Sequence, residues 1–325
     1  MMRDAEAHLL HHFQSIQDIV ETTTLPSLLP TLSAALAQAS GVQGLLARLR
    51  TGPPGNKRYS SEEKAALWEE LKVASLAQLL LTVRLLPLLA LTVRCQLSIL
   101  GRYLYLESAL EADGPGPGPE GTLAALHTAP RLSTPSQERF LSFADHLARE
   151  GHAPPPPGRR ARRAAAAARA KSLQDAVSER DVAQLLSDAL SLMDSEPGLP
   201  TYEELALPSK AAVALALAVP APDDRALVAN SESMLVDGET VTGMLGELRR
   251  TLESGSFARC AQACERAAAV HERRPLAKVI PLLVAASDEA YSCGPSGLAA
   301  ELAAAPLVKG LAATVYACGP PQIEA

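Results

Sequence analysis

Apolar residues along this chain recur at spacings of three and four, and runs that alternate apolar with polar positions are absent. That periodicity belongs to helices packed on one face, not to strands. The spacing predicts a helix over 4–20 and a second over 25–49, with Pro26 and Pro30 near its start. The loop Thr51-Gly52-Pro53-Pro54-Gly55-Asn56 ends the second helix. A third helix opens at Ser60, with Glu63 three residues on in capping-box spacing. Glu62 and Glu63 place negative charge at its amino end, and the pattern runs to about residue 110 with a kink expected at Pro87. Further helices are predicted at 136–149, 172–193, 203–219, 239–270, 275–292 and 296–317. No fixed-period repeat is present. The reading is all-α, one domain over 1–325, built as a single elongated bundle of long helices.

Two tracts interrupt the pattern. Asp113-Gly114-Pro115-Gly116-Pro117-Gly118-Pro119 can be neither helix nor strand, and Pro154 to Pro157 form a second break. Disordered insertions are therefore expected at 112–122 and 151–165, with a loose tail at 318–325. The basic tract Arg159, Arg160, Arg162, Arg163, Arg169 and Lys171 reads as a solvated linker after the prolines, or as a surface for anionic lipid.

The most apolar stretch, Val73 to Leu100, is long enough to cross a bilayer. However, Arg84 and Arg94 interrupt it with nine residues between them, against about 20 apolar residues for a span. A buried helix at the centre of a thick bundle fits better. Composition agrees: of 325 residues, 47% are hydrophobic but only 3% aromatic, so the core is aliphatic. The net charge of −6, from 30 basic and 36 acidic residues, argues against nucleic-acid binding. Five cysteines without clustering are no disulfide framework and fit a reducing compartment. The amino terminus lacks the basic-then-apolar pattern of a signal peptide.

Catalytic motifs are scarce. The glycines at 114, 116 and 118 alternate with prolines, which have no N–H to offer a phosphate. His8, His11 and His12 share one helix face and could in principle bind a metal with Asp4, but a polar, frayed amino-terminal helix is the better reading. Cys260 and Cys264 read as small buried apolar groups. The expectation is a protein that is not an enzyme and needs no cofactor or metal. Trp68, the single tryptophan, stands on a stripe with Lys64, Leu71, Lys72 and Ser75 within an arc of about 100°. It is either an interface anchor or a core residue near a helix start, and the spacing alone does not choose.

Several blocks, taken in order, carry a family resemblance. Leu67-Trp68-Glu69-Glu70-Leu71-Lys72 resembles the "W-[ED]-[ED]-L-K" block of the peroxin-3 family. Leu29-Pro30-Thr31-Leu32 with Ala35 and Leu36 is similar to an earlier block, and Gln96 to Leu106 to the family's "QLNIIGGYIYL". Leu252-Glu253-Ser254 with Phe257, then Pro275 to Pro281, then Val308 to Tyr316 are similar to later ones; 112–235 matches poorly. The resemblance implies one helical domain on the cytosolic face of the peroxisomal membrane, corresponding to the family's cytosolic part without its amino-terminal anchor. It also implies a groove that binds the amphipathic amino-terminal helix of peroxin-19, the receptor for peroxisomal membrane proteins. By position the groove residues are Trp68, Leu71, Lys72 and Lys64, with Leu49 from the preceding helix. A monomer acting as docking receptor is expected. A lipid-interacting helical scaffold or adaptor at the peroxisome surface is the alternative.

Overall fold

The computed structural model describes residues 2–53, 58–113, 132–149, 156–167, 176–195, 200–218, 231–270, 277–278, 283, 290–291 and 298–318. Helix α1 (Met2–Ile19) passes through a π-helical turn (Val20–Thr24) into α2 (Leu25–Ser40). Pro26 and Pro30 supply no N–H to the preceding turns, and the wider turn, closed by the Leu25 N–H on the Val20 carbonyl, carries the helix across that gap. Gly41, at φ 72°, ends α2, so the predicted helix 25–49 is two helices; α3 is Val42–Thr51. The chain then enters α4, Ser61–Asp113, 53 residues and about 80 Å long.

Around α4 lie α5 (Thr134–Ser142), α6 (Ala144–Arg149), α7 (Pro156–Ala167), α8 (Glu179–Ser195) and α9 (Tyr202–Ala206). The rest are α10 (Lys210–Ala218), α11 (Ser231–Glu253), α12 (Gly255–Val270), α13 (Leu298–Ala304) and α14 (Pro306–Cys318). A two-residue antiparallel pair, β1 (Ala176–Val177) with β2 (Ala277–Lys278), is the only extended structure among the described residues. The fold is all-α.

Helix α4 is the axis of the bundle. From Leu76 to Leu100 it is buried around its whole circumference, so no single neighbour can cover it. It packs against α1–α3, α5–α9 and α11–α14. The stretch that is long and apolar enough to span a membrane is thereby almost wholly buried in protein. Pro87 sits inside the uninterrupted helix, with no break at that point.

Several expectations need correction. Residues 156–165 of the segment expected to be disordered lie in α7, because Ala161, Ala164 and Ala165 make a narrow apolar stripe that lies buried in the core cluster. Residues 151–155, 114–122 and 319–325 of the predicted loose segments lie outside the described residues, as do Arg169 and Lys171; residues 112–113 close α4 and Cys318 closes α14. The predicted helix 203–219 breaks at Leu207 and Pro208, and 239–270 breaks at Ser254, whose hydroxyl accepts the Phe257 N–H as a helix cap. Within the predicted helix 296–317, Leu298–Ala304 and Pro306–Ala317 meet at 61° across Ala305. Ala277 and Lys278, predicted helical, lie in β2.

The arginines that spoil a membrane span fasten α4 to its surroundings. Arg84 pairs with Asp194 of α8 at 2.7 Å. Arg94, whose side chain is 2% exposed, donates to Gln17 of α1 and to Glu21 of the π turn, both at 2.7 Å. Arg102 pairs with Glu247 of α11 and donates to the Val315 carbonyl of α14. Because Arg94 is buried and Glu21 half-exposed, Glu21→Ala should cost about 2 kcal/mol in denaturant unfolding. Arg94→Met, which removes the buried charge itself, should cost less.

Glu265 of α12 lies beside Arg84, Asp194, Tyr202 and Arg266, and burial, outweighing Arg84, pushes its carboxyl up from 4.5 to about 7. The folded state therefore holds this proton more tightly than the unfolded chain. Its stabilising share is full below the ordinary carboxylate range and is lost as pH rises through about 7. Thermal unfolding of Glu265→Gln should show a flatter profile between pH 5 and 8 and a higher Tm than the parent at pH 8.

Candidate functional site

A second, smaller apolar cluster lies apart from the main core, where α3 packs on the first turns of α4. Val42 and Leu45 meet Leu67, Leu71 and Ala74, with Leu46, Leu49 and Tyr59 half-buried at the rim. The positions 42, 45, 46 and 49 follow i, i+3, i+4, i+7 spacing and so share one face of α3. The amino end of α4 is fixed by the predicted capping box. The Ser60 hydroxyl accepts the Glu63 N–H at 3.1 Å, and the Ser60 N–H donates to the Glu63 carboxylate at 2.8 Å.

Trp68 is 36% exposed, a large fraction for the chain's one tryptophan. Lys64, one turn earlier, is exposed. The other predicted residues are not beside them on the surface. Leu71 is fully buried inside the small cluster, since it lies about 60° round the helix from Trp68, toward α3. Lys72 is buried at 8% and its ammonium pairs with Glu69 at 2.7 Å. Leu49 sits half-buried at the cluster's edge. The open part of this end is therefore Lys64 and Trp68 on α4, with the rim of α3. Leu71 supports that surface from beneath.

Sequence reasoning missed Val42, Leu45, Leu46 and Tyr59. The helical spacing of the first three was available; that they face α4 required knowing where Gly41 turns the chain.

The other candidates divide between surface and core. His8 and His11 are exposed, while the His12 Nδ1 lies 2.6 Å from the Tyr316 hydroxyl, with the ring also against Tyr105. Burial, then His11, lowers the His12 pKa. No group of three potential metal ligands is present among the described residues. Cys95, Cys260 and Cys264 are buried free thiols within the main cluster.

Known proteins resemble this chain. The family model described as Peroxin-3 matches residues 51–139, which include the Trp68 end of α4. Peroxisome biogenesis protein 3-2 of Arabidopsis thaliana is 30% identical over 169 residues, covering 52% of this chain and 43% of the plant protein. The match thus spans less than half the length of that relative. Peroxisomal biogenesis factor 3 of Bos taurus is 26% identical over 359 residues, covering 98% of this chain and 87% of the bovine protein. The Mus musculus protein of the same name is 25% identical with the same coverage. Over nearly its whole length, the chain is thus similar to proteins named peroxisomal biogenesis factor 3, and over residues 51–139 to the Peroxin-3 family.

Proposed function

We propose that this protein serves peroxisome biogenesis at the peroxisomal membrane, as a docking receptor on the cytosolic face for peroxin-19 carrying membrane-protein cargo. The relatives' names support the biogenesis role. The observation that carries the docking reading is Trp68, an exposed aromatic beside a small apolar cluster separate from the core. Burying an exposed tryptophan is among the largest single contributions an interface can make.

Docking follows helix-in-groove recognition: an amphipathic helix of peroxin-19 lays apolar residues at i, i+3, i+4 and i+7 against Trp68 and the α3 rim. Lys64 meets acidic residues at the edge, where charge helps rate and register more than affinity. Leu71 and the Lys72–Glu69 pair hold Trp68's helix face in place without touching the partner. The reaction is association and release, with no bond made or broken, and it calls for no cofactor. Cargo delivery to the bilayer follows from the receptor's position at the membrane.

A lipid-facing scaffold is the second reading. Its apolar half is taken up by the core, which leaves the basic surface of α7, where Arg159 and Arg163 are exposed. Flotation with anionic vesicles in the absence of peroxin-19 separates the two readings: the docking receptor leaves the vesicles bare.

Trp68→Ala should weaken binding of the peroxin-19 amino-terminal helix by at least about 2 kcal/mol in calorimetry, with the Tm little changed. Leu71→Ala should instead lower stability by about 2–5 kcal/mol, because it opens a cavity in a buried cluster. Unchanged affinity in a folded Trp68→Ala protein would remove the groove assignment.

A further inference from the structure

The α3 wall of this site has little to hold it. It joins α2 through one residue, Gly41, in the left-handed conformation, and its apolar contacts are to the small cluster, not the main core. From the geometry we infer that Arg162, in the Arg/Ala tract, is the positioning residue that sets the pose of α3. Its consequence for binding rests on the docking reading above.

Ser40 and Gly41 form the elbow between α2 and α3, and Ser40 is buried. Its hydroxyl donates to the Gln78 side chain of α4 at 2.9 Å and lies 3.4 Å from the Val42 N–H. Its carbonyl, at the carboxyl end of α2, accepts from Nη2 of Arg162 at 2.5 Å. A cation is well placed there, against the negative end of the helix dipole and on a carbonyl without a helical partner. The guanidinium also packs over the elbow itself: a Cβ at Gly41 would come within 3.2 Å of the same Nη2. Arg162 does not hang from a loop. Its neighbours Ala161, Ala164 and Ala165 are buried, and their small side chains let α7 lie close against α4. The elbow is thus fastened from two sides, by Gln78 of α4 and by Arg162 of α7, and α3 leaves it at a fixed angle toward Leu67 and Leu71.

Arg162 reaches no partner and no part of the Trp68 surface needs it for contact. It acts through the elbow: with the α2 end free, α3 swings on Gly41 and its apolar face loses its register on Leu67 and Leu71. The tract that looked like a solvated charge run is then what makes the site rigid enough to bind.

The test compares the full chain with Arg162→Ala and Arg162→Lys by hydrogen–deuterium exchange and by affinity for the peroxin-19 amino-terminal helix. In Arg162→Ala, amides of α3 should exchange about tenfold faster or more, the scale of a lost charge-assisted hydrogen bond. Amides of residues 76–100 should be unchanged, and affinity should fall several-fold. Arg162→Lys, which keeps a cationic donor, should recover most of both. Unchanged α3 exchange in Arg162→Ala, or faster exchange spread evenly over all helices, overturns the assignment. So does unchanged affinity in Arg162→Ala where Trp68→Ala abolishes binding. If α3 loosens and Lys restores it while Trp68→Ala leaves binding intact, the brace stands and the docking reading falls.

Discussion

A helix that is apolar on every side has to be enclosed, and in this protein that requirement falls on one helix of 53 residues. The middle of α4 offers no polar face to water. Leu80, Leu85, Leu86, Leu89 and Ile99 are each fully buried, and they look out in different directions around the axis. The other helices are arranged as its cover. Their modest length, and the frequency of breaks such as Gly41, Ser254 and Ala305, follow from wrapping a long cylinder with short pieces. Aliphatic side chains, not aromatic ones, fill the space between, with Phe140 and Phe257 as fully buried exceptions.

Apolar cover alone does not fix register, because leucine slides past leucine at little cost. The arginines at 84, 94 and 102 point from α4 to α8, to α1 with the π turn, and to α11 with α14. Each is satisfied only when a particular carboxylate or carbonyl stands opposite, so they specify which helix lies where. Toward the amino end the enclosure runs out. There, among the described residues, α3 and Tyr59 cover the Leu67/Leu71/Ala74 face of α4, and Trp68 remains partly in water. The candidate site is the place where the axis of the bundle emerges from its cover.

Much of this was legible in the sequence because it is local. The Ser60/Glu63 box needs only four consecutive residues, and both of its hydrogen bonds form. The arginines inside 73–100 already argued for protein burial over lipid. Trp68 stood out by rarity, and it is exposed at the surface and not packed in the core. What escaped was non-local. Leu71 and Lys72 share Trp68's side of an isolated helix, yet α3 and Glu69 take them out of contact with solvent. The helix at 156–167 was hidden by its composition: prolines before it and arginines along it suggested a solvated linker. The alanines at 161, 164 and 165 in fact mark a face thin enough to pack on α4. The break at Leu207–Pro208 was legible locally, since a proline pushes the residue before it into the extended conformation that Leu207 adopts; the Arg249 hydrogen bond to the Pro208 carbonyl then ties it to α11.

The apolar axis of the bundle is buried in protein and not in a bilayer. Cys95 lies in the middle of that stretch, fully buried, with burial raising its thiol pKa to about 12. Maleimide labelling of the full chain in detergent-free buffer, mapped by mass spectrometry, reads this site directly. The account predicts a monodisperse protein in which Cys95 labels only upon unfolding. Labelling of Cys95 at the rate of an exposed thiol, in a chain that stays dispersed only with detergent, would contradict it.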